Sequence, residues 1–136
     1  IRMLKGVTIH KIEYTEEENK EFPKGLGNAH THGMEKYGLK NLCLGIDLSP
    51  ERTSYILNEV SELMADSNED MDMKKTHFLH DEHGITTLIF KLCEATCFDE
   101  PVIAIIMADV NRGFPGNFMC LEPYRYQLSN HHDITF

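Results

Sequence analysis

The residues with the clearest chemical potential are two histidines in the segment His30-Thr31-His32-Gly33. Side chains two residues apart point to the same face of an extended chain, so both imidazoles can meet one metal ion. Zinc takes three or four ligands at about 2.0 to 2.3 Å, and such a pair supplies two of them. The spacing therefore predicts that His30 and His32 are ligands of a divalent metal, with zinc as the leading candidate.

Three later histidines offer a third ligand. His77, His80 and His83 are spaced three apart, which brings them near one face of a single helical turn or around a bend. In the competing interpretation no metal binds: His30 lies in a turn, His32 bonds a main-chain carbonyl, and the later histidines line a solvent-exposed loop. The spacing fits no zinc signature over its full length, so both interpretations stay open.

Two acidic residues are candidates for activating a metal-bound water. Asp109 follows the most apolar run of the chain, and catalytic carboxylates often lie at the end of a central strand. Turn chemistry favours a different role for Asp109, in which its side chain bonds nearby amides and shapes a loop. Glu35 is the second candidate acid. Cys120 and Tyr37 are further site candidates, although a cysteine nucleophile needs a neighbouring base and a lowered pKa.

Short apolar runs, several of them β-branched and bounded by Gly or Pro, predict the strands of a sheet. Residues 103–107 include almost no polar side chain, so we expect this strand in the middle of the sheet, covered on both faces. The predicted strands are 7–14, 42–48, 86–92 and 102–108, with residues 124–128 as an edge strand.

One long helix is predicted after Ser49, which can cap it, with Pro50 in the first helical position. Apolar residues then recur at helical spacing to about Ala65. Between the elements we expect an irregular loop at residues 23–27, a mobile loop at 66–75 and a connection between neighbouring strands at 94–100. The predicted fold is therefore α+β, a mostly antiparallel sheet of four to five strands with one long helix packed on one face.

Composition limits the class of protein and its partners. The chain has 136 residues, of which 41% are hydrophobic, enough for a single domain spanning 1–136. Its net charge of −9 disfavours nucleic acid and anionic membranes as partners. The 4 cysteines are too few for a disulfide scaffold, and no apolar run approaches the length of a membrane span. These features predict a small acidic cytoplasmic protein with reduced thiols.

Motifs that normally identify common enzyme classes are missing from the sequence. It contains no Gly-x-Gly-x-x-Gly, no Walker loop and no Gly-x-Ser-x-Gly elbow. Dinucleotide-binding, nucleoside-triphosphate-binding and α/β-hydrolase interpretations therefore lose their usual support.

Two segments together resemble a known family. They are His30-Thr31-His32-Gly33-Met34-Glu35-Lys36-Tyr37-Gly38 and Asp109-x-Asn111-x-x-Phe114-Pro115-Gly116, the latter continuing to Cys120-x-x-Pro123-Tyr124-x-x-Gln127. The pattern, over residues 28–128, is similar to that of small bacterial proteins grouped as a domain of unknown function, with Arg112-Gly113 in place of the family's Gly-Arg. The resemblance implies no activity or cofactor, only that His30, His32, Asp109 and Cys120 share one feature.

Three functional hypotheses follow from these residues. The first is a module that binds a small molecule or a protein through the loops around His30, His32 and Asp109. The second is a metal-dependent hydrolase of the zinc type, in which Glu35 or Asp109 activates water. The third is an immunity or antitoxin-like protein whose acidity blocks a basic toxin. The sequence leaves the oligomeric state open.

Overall fold

The computed structural model describes residues 4–12, 25–66, 75–97 and 99–130, together with Glu17, Met71 and Met73. The long α-helix, α1, spans Pro50–Asp66, and short 3₁₀ helices span Met34–Tyr37 and Tyr124–Asn130. No helix in these ranges is both long and apolar enough to cross a membrane. The strands are β1 Thr8–Ile12, β2 Leu26–His32, β3 Asn41–Ile46, β4 His77–His80, β5 Thr86–Cys97 and β6 Glu100–Met107.

The described strands form one sheet in the order β1-β2-β3-β6-β5-β4. All neighbours are antiparallel except β3 and β6, which run parallel. A parallel pair needs a crossover connection, and the chain between β3 and β6 provides it through α1, β4 and β5. The predicted α+β class and single long helix are confirmed. The sheet is mixed and has six strands, where four to five were predicted.

Helix α1 begins and packs as its sequence predicts. The Ser49 hydroxyl oxygen accepts a hydrogen bond from the Arg52 amide at 3.2 Å, which satisfies one of the free amides of the first turn. Ile56, Leu57 and Val60 are fully buried in the larger hydrophobic cluster, which also contains residues of β2, β3, β5 and β6. The helix therefore covers one face of the sheet.

Strand β6 lies inside the sheet between β3 and β5, as the continuous apolar run predicts. Its residues 102–107 are all buried. Alternate residues enter the two clusters: Ile103 and Ile105 join the helix-covered cluster, whereas Ala104 and Ile106 join a smaller cluster on the other face. Both faces of this strand are therefore covered, which explains the missing polar alternation.

The loop predicted at residues 23–27 is wrong from residue 26 onward, because strand β2 begins there. Leu26–His32 carries few strand-favouring side chains, and Gly25 before it and Gly27 within it indicated a loop. Pairing with β1 on one side and β3 on the other holds this segment extended. At Gly27 an added Cβ would lie 3.1 Å from the Asp47 Cβ, so the close approach of the backbones there favours glycine.

Three other sequence predictions are corrected. The connection at 94–100 is a tight turn: β5 continues to Cys97, β6 begins at Glu100, and Asp99 has a positive φ of 64°. Residues 124–128 belong to a 3₁₀ helix and not to an edge strand. The Gln127 side chain accepts from the Met107 amide and donates to the Met107 carbonyl, so it takes the hydrogen bonds of β6 that a further strand would use. His77–His80 is strand β4 instead of a loop. Tyr14 and most of the predicted 66–75 loop lie outside the described residues.

The tip of the β5–β6 hairpin curves over the sheet face that α1 leaves uncovered. Asn28 lies beside the C-terminal end of β3, whereas Cys97 pairs with Glu100 beyond the start of β3. In a flat sheet these two residues would be on the order of 15 Å or more apart. The Asn28 Nδ2 atom is nevertheless 3.4 Å from the Cys97 Sγ. Small buried side chains beneath the tip, including Cys43 and Ala104, leave room for this curvature.

Candidate metal centre

Three histidines from the β1–β2 hairpin meet on one face at the edge of the sheet. His10 lies directly opposite His30 in the antiparallel register, and His32 follows two residues later on the same face. The ring centroids are 5.2 Å apart for His10 and His30, 5.9 Å for His10 and His32, and 4.6 Å for His30 and His32. One ring nitrogen from each histidine lies within 4.8 Å of the other two.

The nitrogen positions are close to what a metal ion requires. Two imidazole nitrogens bound to one tetrahedral zinc at about 2.05 Å are separated by about 3.3 Å. The Nε2 atoms of His30 and His32 are 3.0 Å apart. His10 and His32 are exposed and His30 is half-buried, so an ion and its remaining ligands can reach the site from solvent. For all three nitrogens to surround one ion, separations of up to 4.8 Å have to close to about 3.3 Å, and His10 and His32 are the exposed rings that can rotate.

Asn28 fixes the orientation of the His30 ring. The Asn28 amide nitrogen donates to the Cys97 sulfur at 3.4 Å, so its Oδ1 atom faces His30 Nδ1 at 3.2 Å. Because Oδ1 can only accept, Nδ1 carries the proton of the neutral ring, and the Nε2 atom, which lies 3.0 Å from His32 Nε2, is the acceptor nitrogen. Histidines that bind metals typically donate their second ring nitrogen to such an outer acceptor. The buried Asn28 side chain therefore prepares His30 to bind through Nε2.

The electrostatic surroundings keep His30 neutral. Burial, followed by the neighbouring His32 and His10, lowers the pKa of His30 below its ordinary value, while the charge of Glu100 acts in the opposite direction. A metal competes with protons for the same lone pair, so a lowered pKa favours metal binding at neutral pH. The effect of Glu100 also places an acidic side chain near the histidines.

A second chemically distinctive group lies behind Asn28. The thiol of Cys43 and the amide of Asn28 both donate to the half-buried Cys97 sulfur, which lowers the pKa of Cys97 to about 6. The same contact, together with burial, raises the pKa of Cys43. Cys97 therefore carries thiolate character near neutral pH, and Cys43 keeps its proton.

The structure does not bring His77, His80 or His83, the candidates for a third ligand, to His30 and His32, and the third histidine beside that pair is His10. The first two lie on β4 and the third in the turn that follows it, at the opposite edge of the sheet from β1. Four strand spacings separate β4 from β2, which is about 19 Å. His77 packs against Phe90, and the His80 ring bonds the Thr86 hydroxyl.

Asp109 and Cys120 come together, but in a separate loop beyond the end of β6. The Asp109 carboxylate accepts the amides of Asn111 and Gly113 through Oδ1 and that of Leu121 through Oδ2, at 2.7 to 2.9 Å. These bonds, with Leu121 contributing most, lower the pKa of Asp109. Across the sheet, His30 pairs with Cys43 of β3, and Cys43 pairs with Ala104 of β6. Asp109 comes five residues after Ala104, a distance on the order of 15 Å along an extended chain. The geometry matches the loop-shaping interpretation of Asp109.

Glu35 and Tyr37 lie on the 3₁₀ helix that follows β2. The exposed Glu35 carboxylate accepts from the Asn41 amide at 3.3 Å, and hydrogen bonds to its own backbone amide contribute most to lowering its pKa. The Tyr37 hydroxyl donates to the Lys5 carbonyl at 2.6 Å. Both side chains tie the β2–β3 connection to its surroundings, and neither belongs to the histidine group.

Sequence reasoning missed four residues of this site: His10, Asn28, Cys97 and Glu100. A signal for His10 was present, because it lies on the polar side of the predicted first strand. Using that signal requires the pairing of β1 with β2, which was hidden by the loop assigned to residues 23–27. Asn28 also had a signal, because it lies two residues before His30 and so on the same face of an extended chain. Cys97 and Glu100 depend on the curved hairpin tip, which local periodicity does not encode.

Searches of protein-family models, of curated proteins and of solved structures found no match to this chain. The resemblance to the bacterial family of unknown function therefore stays an expectation, and the function must be argued from the site itself.

Proposed function

We propose that this protein binds a divalent transition metal of the zinc type through His10, His30 and His32, and that it acts as a metal-dependent hydrolase. The observation that carries the proposal is the approach of three imidazole nitrogens to within 4.8 Å of one another. Three protein ligands with an open position are typical of catalytic zinc sites, whereas structural sites are usually closed by four.

The open side of the site suits a reaction with water. A zinc ion held by His10, His30 and His32 would supply water activation, because such sites lower the pKa of water to about 7. The side chains that can assist differ from those expected from the sequence. Asp109 is committed to its own loop, while Glu100 lies close enough to influence His30. We therefore assign Glu100, whose charge acts on His30, the role of accepting a proton near the site.

A zinc titration of the full chain tests the metal site. We expect about one equivalent of zinc to bind. His30→Ala and His32→Ala should each weaken zinc binding by about 100-fold or more, because each removes one of three ligands. Replacing His80 or His83 by Ala is the matched control, since both lie near the other sheet edge. Unchanged zinc affinity in the His32→Ala protein would place the ligands elsewhere.

The outer contact of His30 gives a second, graded test. Asn28→Ala keeps all three imidazoles but removes the acceptor for His30 Nδ1. We expect zinc affinity to fall by roughly tenfold, as for other outer-shell partners of ligating histidines. Hydrolysis of an activated ester by the zinc-loaded protein, absent from the His32→Ala protein, tests the activity separately. Tight zinc binding without any such hydrolysis would leave a non-catalytic metal-binding module.

A further inference from the structure

A cleft that shares no residue with the group His10, His30 and His32 lies where β5 begins and β6 ends. It encloses about 310 Å³ and is lined by residues of both strands, of the loop 108–112, of the first turn of α1 and of the second 3₁₀ helix. This volume is at the lower end of the range for small-molecule sites. Two arginines, Arg52 and Arg112, contribute to the lining.

The two guanidinium groups have spare hydrogen-bonding capacity. Arg52 donates through Nη2 to the Thr87 carbonyl at 2.8 Å, which uses one of its five N–H donors and fixes the side chain over β5. Within the described residues, the hydrogen bond that Arg112 donates comes from its backbone amide, to the Asp109 carbonyl at 3.0 Å. Among the residues that the structure describes, neither guanidinium forms an ion pair, although the chain has 22 acidic side chains and 13 basic ones.

Among the described residues that line the cleft, the one acidic side chain, Asp109, already has hydrogen-bond donors. Both oxygens of Asp109 accept backbone amides of its own loop, so its charge is compensated locally and its oxygens do not need the arginines. Tyr124 also lines the cleft, and its hydroxyl has no hydrogen-bond partner in the described part of the chain. The cleft therefore offers two cations and a neutral donor to a ligand.

The backbone at Arg112 gives an independent indication. Its φ is 64°, in the left-handed region that favours glycine, and the following residue is a glycine. A long charged side chain at a strained position of this kind often marks a functional constraint on the side chain.

We infer that this cleft binds a small organic anion that carries a carboxylate or phosphate group, held between Arg52 and Arg112 with the Tyr124 hydroxyl as a further donor. Guanidinium groups match the planar, bidentate geometry of such oxyanions better than lysine does. The inference does not depend on the proposed metal site, because the cleft and the histidines share no residue.

The test is a titration of the full chain with inorganic phosphate and, separately, with succinate, at constant ionic strength set by sodium chloride. Backbone amide shifts by NMR report the site. We expect saturable shifts at residues 86–89 and 109–112 with one of the two probes, and the tighter probe identifies the anionic group. A site of millimolar affinity is filled at about 50 mM. If neither phosphate nor succinate gives saturable shifts up to that concentration, the inference is overturned.

Arg112→Gly separates binding from folding, because it removes the guanidinium group and also removes the steric cost of a side chain at a positive φ. We expect affinity for the bound probe to fall about tenfold or more, with a thermal midpoint equal to or above that of the parent protein. Arg125→Gln is the matched control: it removes one positive charge from an arginine that lies over the Tyr126 ring, outside the cleft. Equal affinity in the Arg112→Gly protein, or equal losses in both variants, would count against the site.

Discussion

The histidine group and the Asp109 loop look alike in the sequence but differ in the hydrogen-bond partners of their side chains. Both place polar, chemically capable side chains beside a strand. The Asp109 carboxylate has three amide donors from its own loop. The three histidines instead direct ring nitrogens at one another, with Nε2 of His30 and His32 only 3.0 Å apart. A side chain whose partners come from its own loop organises structure, whereas side chains that direct potential metal-ligating atoms at one another offer a site to a ligand.

His10→Ala gives the largest expected effect, since it tests whether the third ligand comes from β1. We expect zinc affinity to fall by roughly 100-fold or more, because the site then keeps only two imidazoles. The urea midpoint should change little, since His10 is exposed. Competition with a fluorescent zinc chelator measures the affinity. Zinc binding as tight as that of the parent protein would show that β1 does not contribute a ligand.

Asp109→Ala should show the opposite pattern, a loss of stability with zinc affinity unchanged. Removing the carboxylate leaves the amides of Asn111, Gly113 and Leu121 without their acceptor, and we expect the thermal midpoint to fall by more than about 5 °C. Calorimetry and zinc titration on the same sample compare the two properties. A selective loss of zinc binding with the midpoint preserved would reverse the assignment of the two regions.

Each region also contains a cysteine, and the two should differ in reactivity. Hydrogen bonds from Cys43 and Asn28 lower the pKa of Cys97 to about 6, whereas burial and then the charge of Asp109 raise the pKa of Cys120. Since the thiolate is the reactive form, iodoacetamide should modify Cys97 at least about tenfold faster at pH 7. Peptide mass spectrometry resolves the two sites. Faster modification of Cys120 would contradict the assigned hydrogen-bond network.

The smallest expected effect is a pH dependence of stability that comes from His30. Because its pKa is lower in the folded chain than in the unfolded chain, the unfolded state binds more protons in that range. The His30 contribution is therefore complete above about pH 6.5 and is lost as the pH falls from there towards the folded pKa. Urea unfolding of the parent and His30→Gln proteins between pH 7.5 and pH 5 should show a steeper decline in the parent. Parallel curves would mean that His30 titrates alike in both states.

Parts of the fold that depend on local pattern were predictable. The helix from Ser49, its cap and its buried stripe agree with the structure, as does the interior position of the strand at 102–107. Predictions failed where a distant partner decides the conformation. Residues 26–32 form a strand because two neighbours pair with them, and the Gln127 side chain bonds β6 in place of a further strand.

By itself the sequence determined that His30 and His32 share one face, because alternation along an extended chain is a local property. It also determined the acidic balance and the helix that covers the sheet. Only the tertiary structure decided that His10 completes the group, that Asn28 orients His30, and that Asp109 serves its own loop. The reason is physical: strand pairing and the curvature of a hairpin bring together residues far apart in the chain, and no local periodicity specifies those contacts.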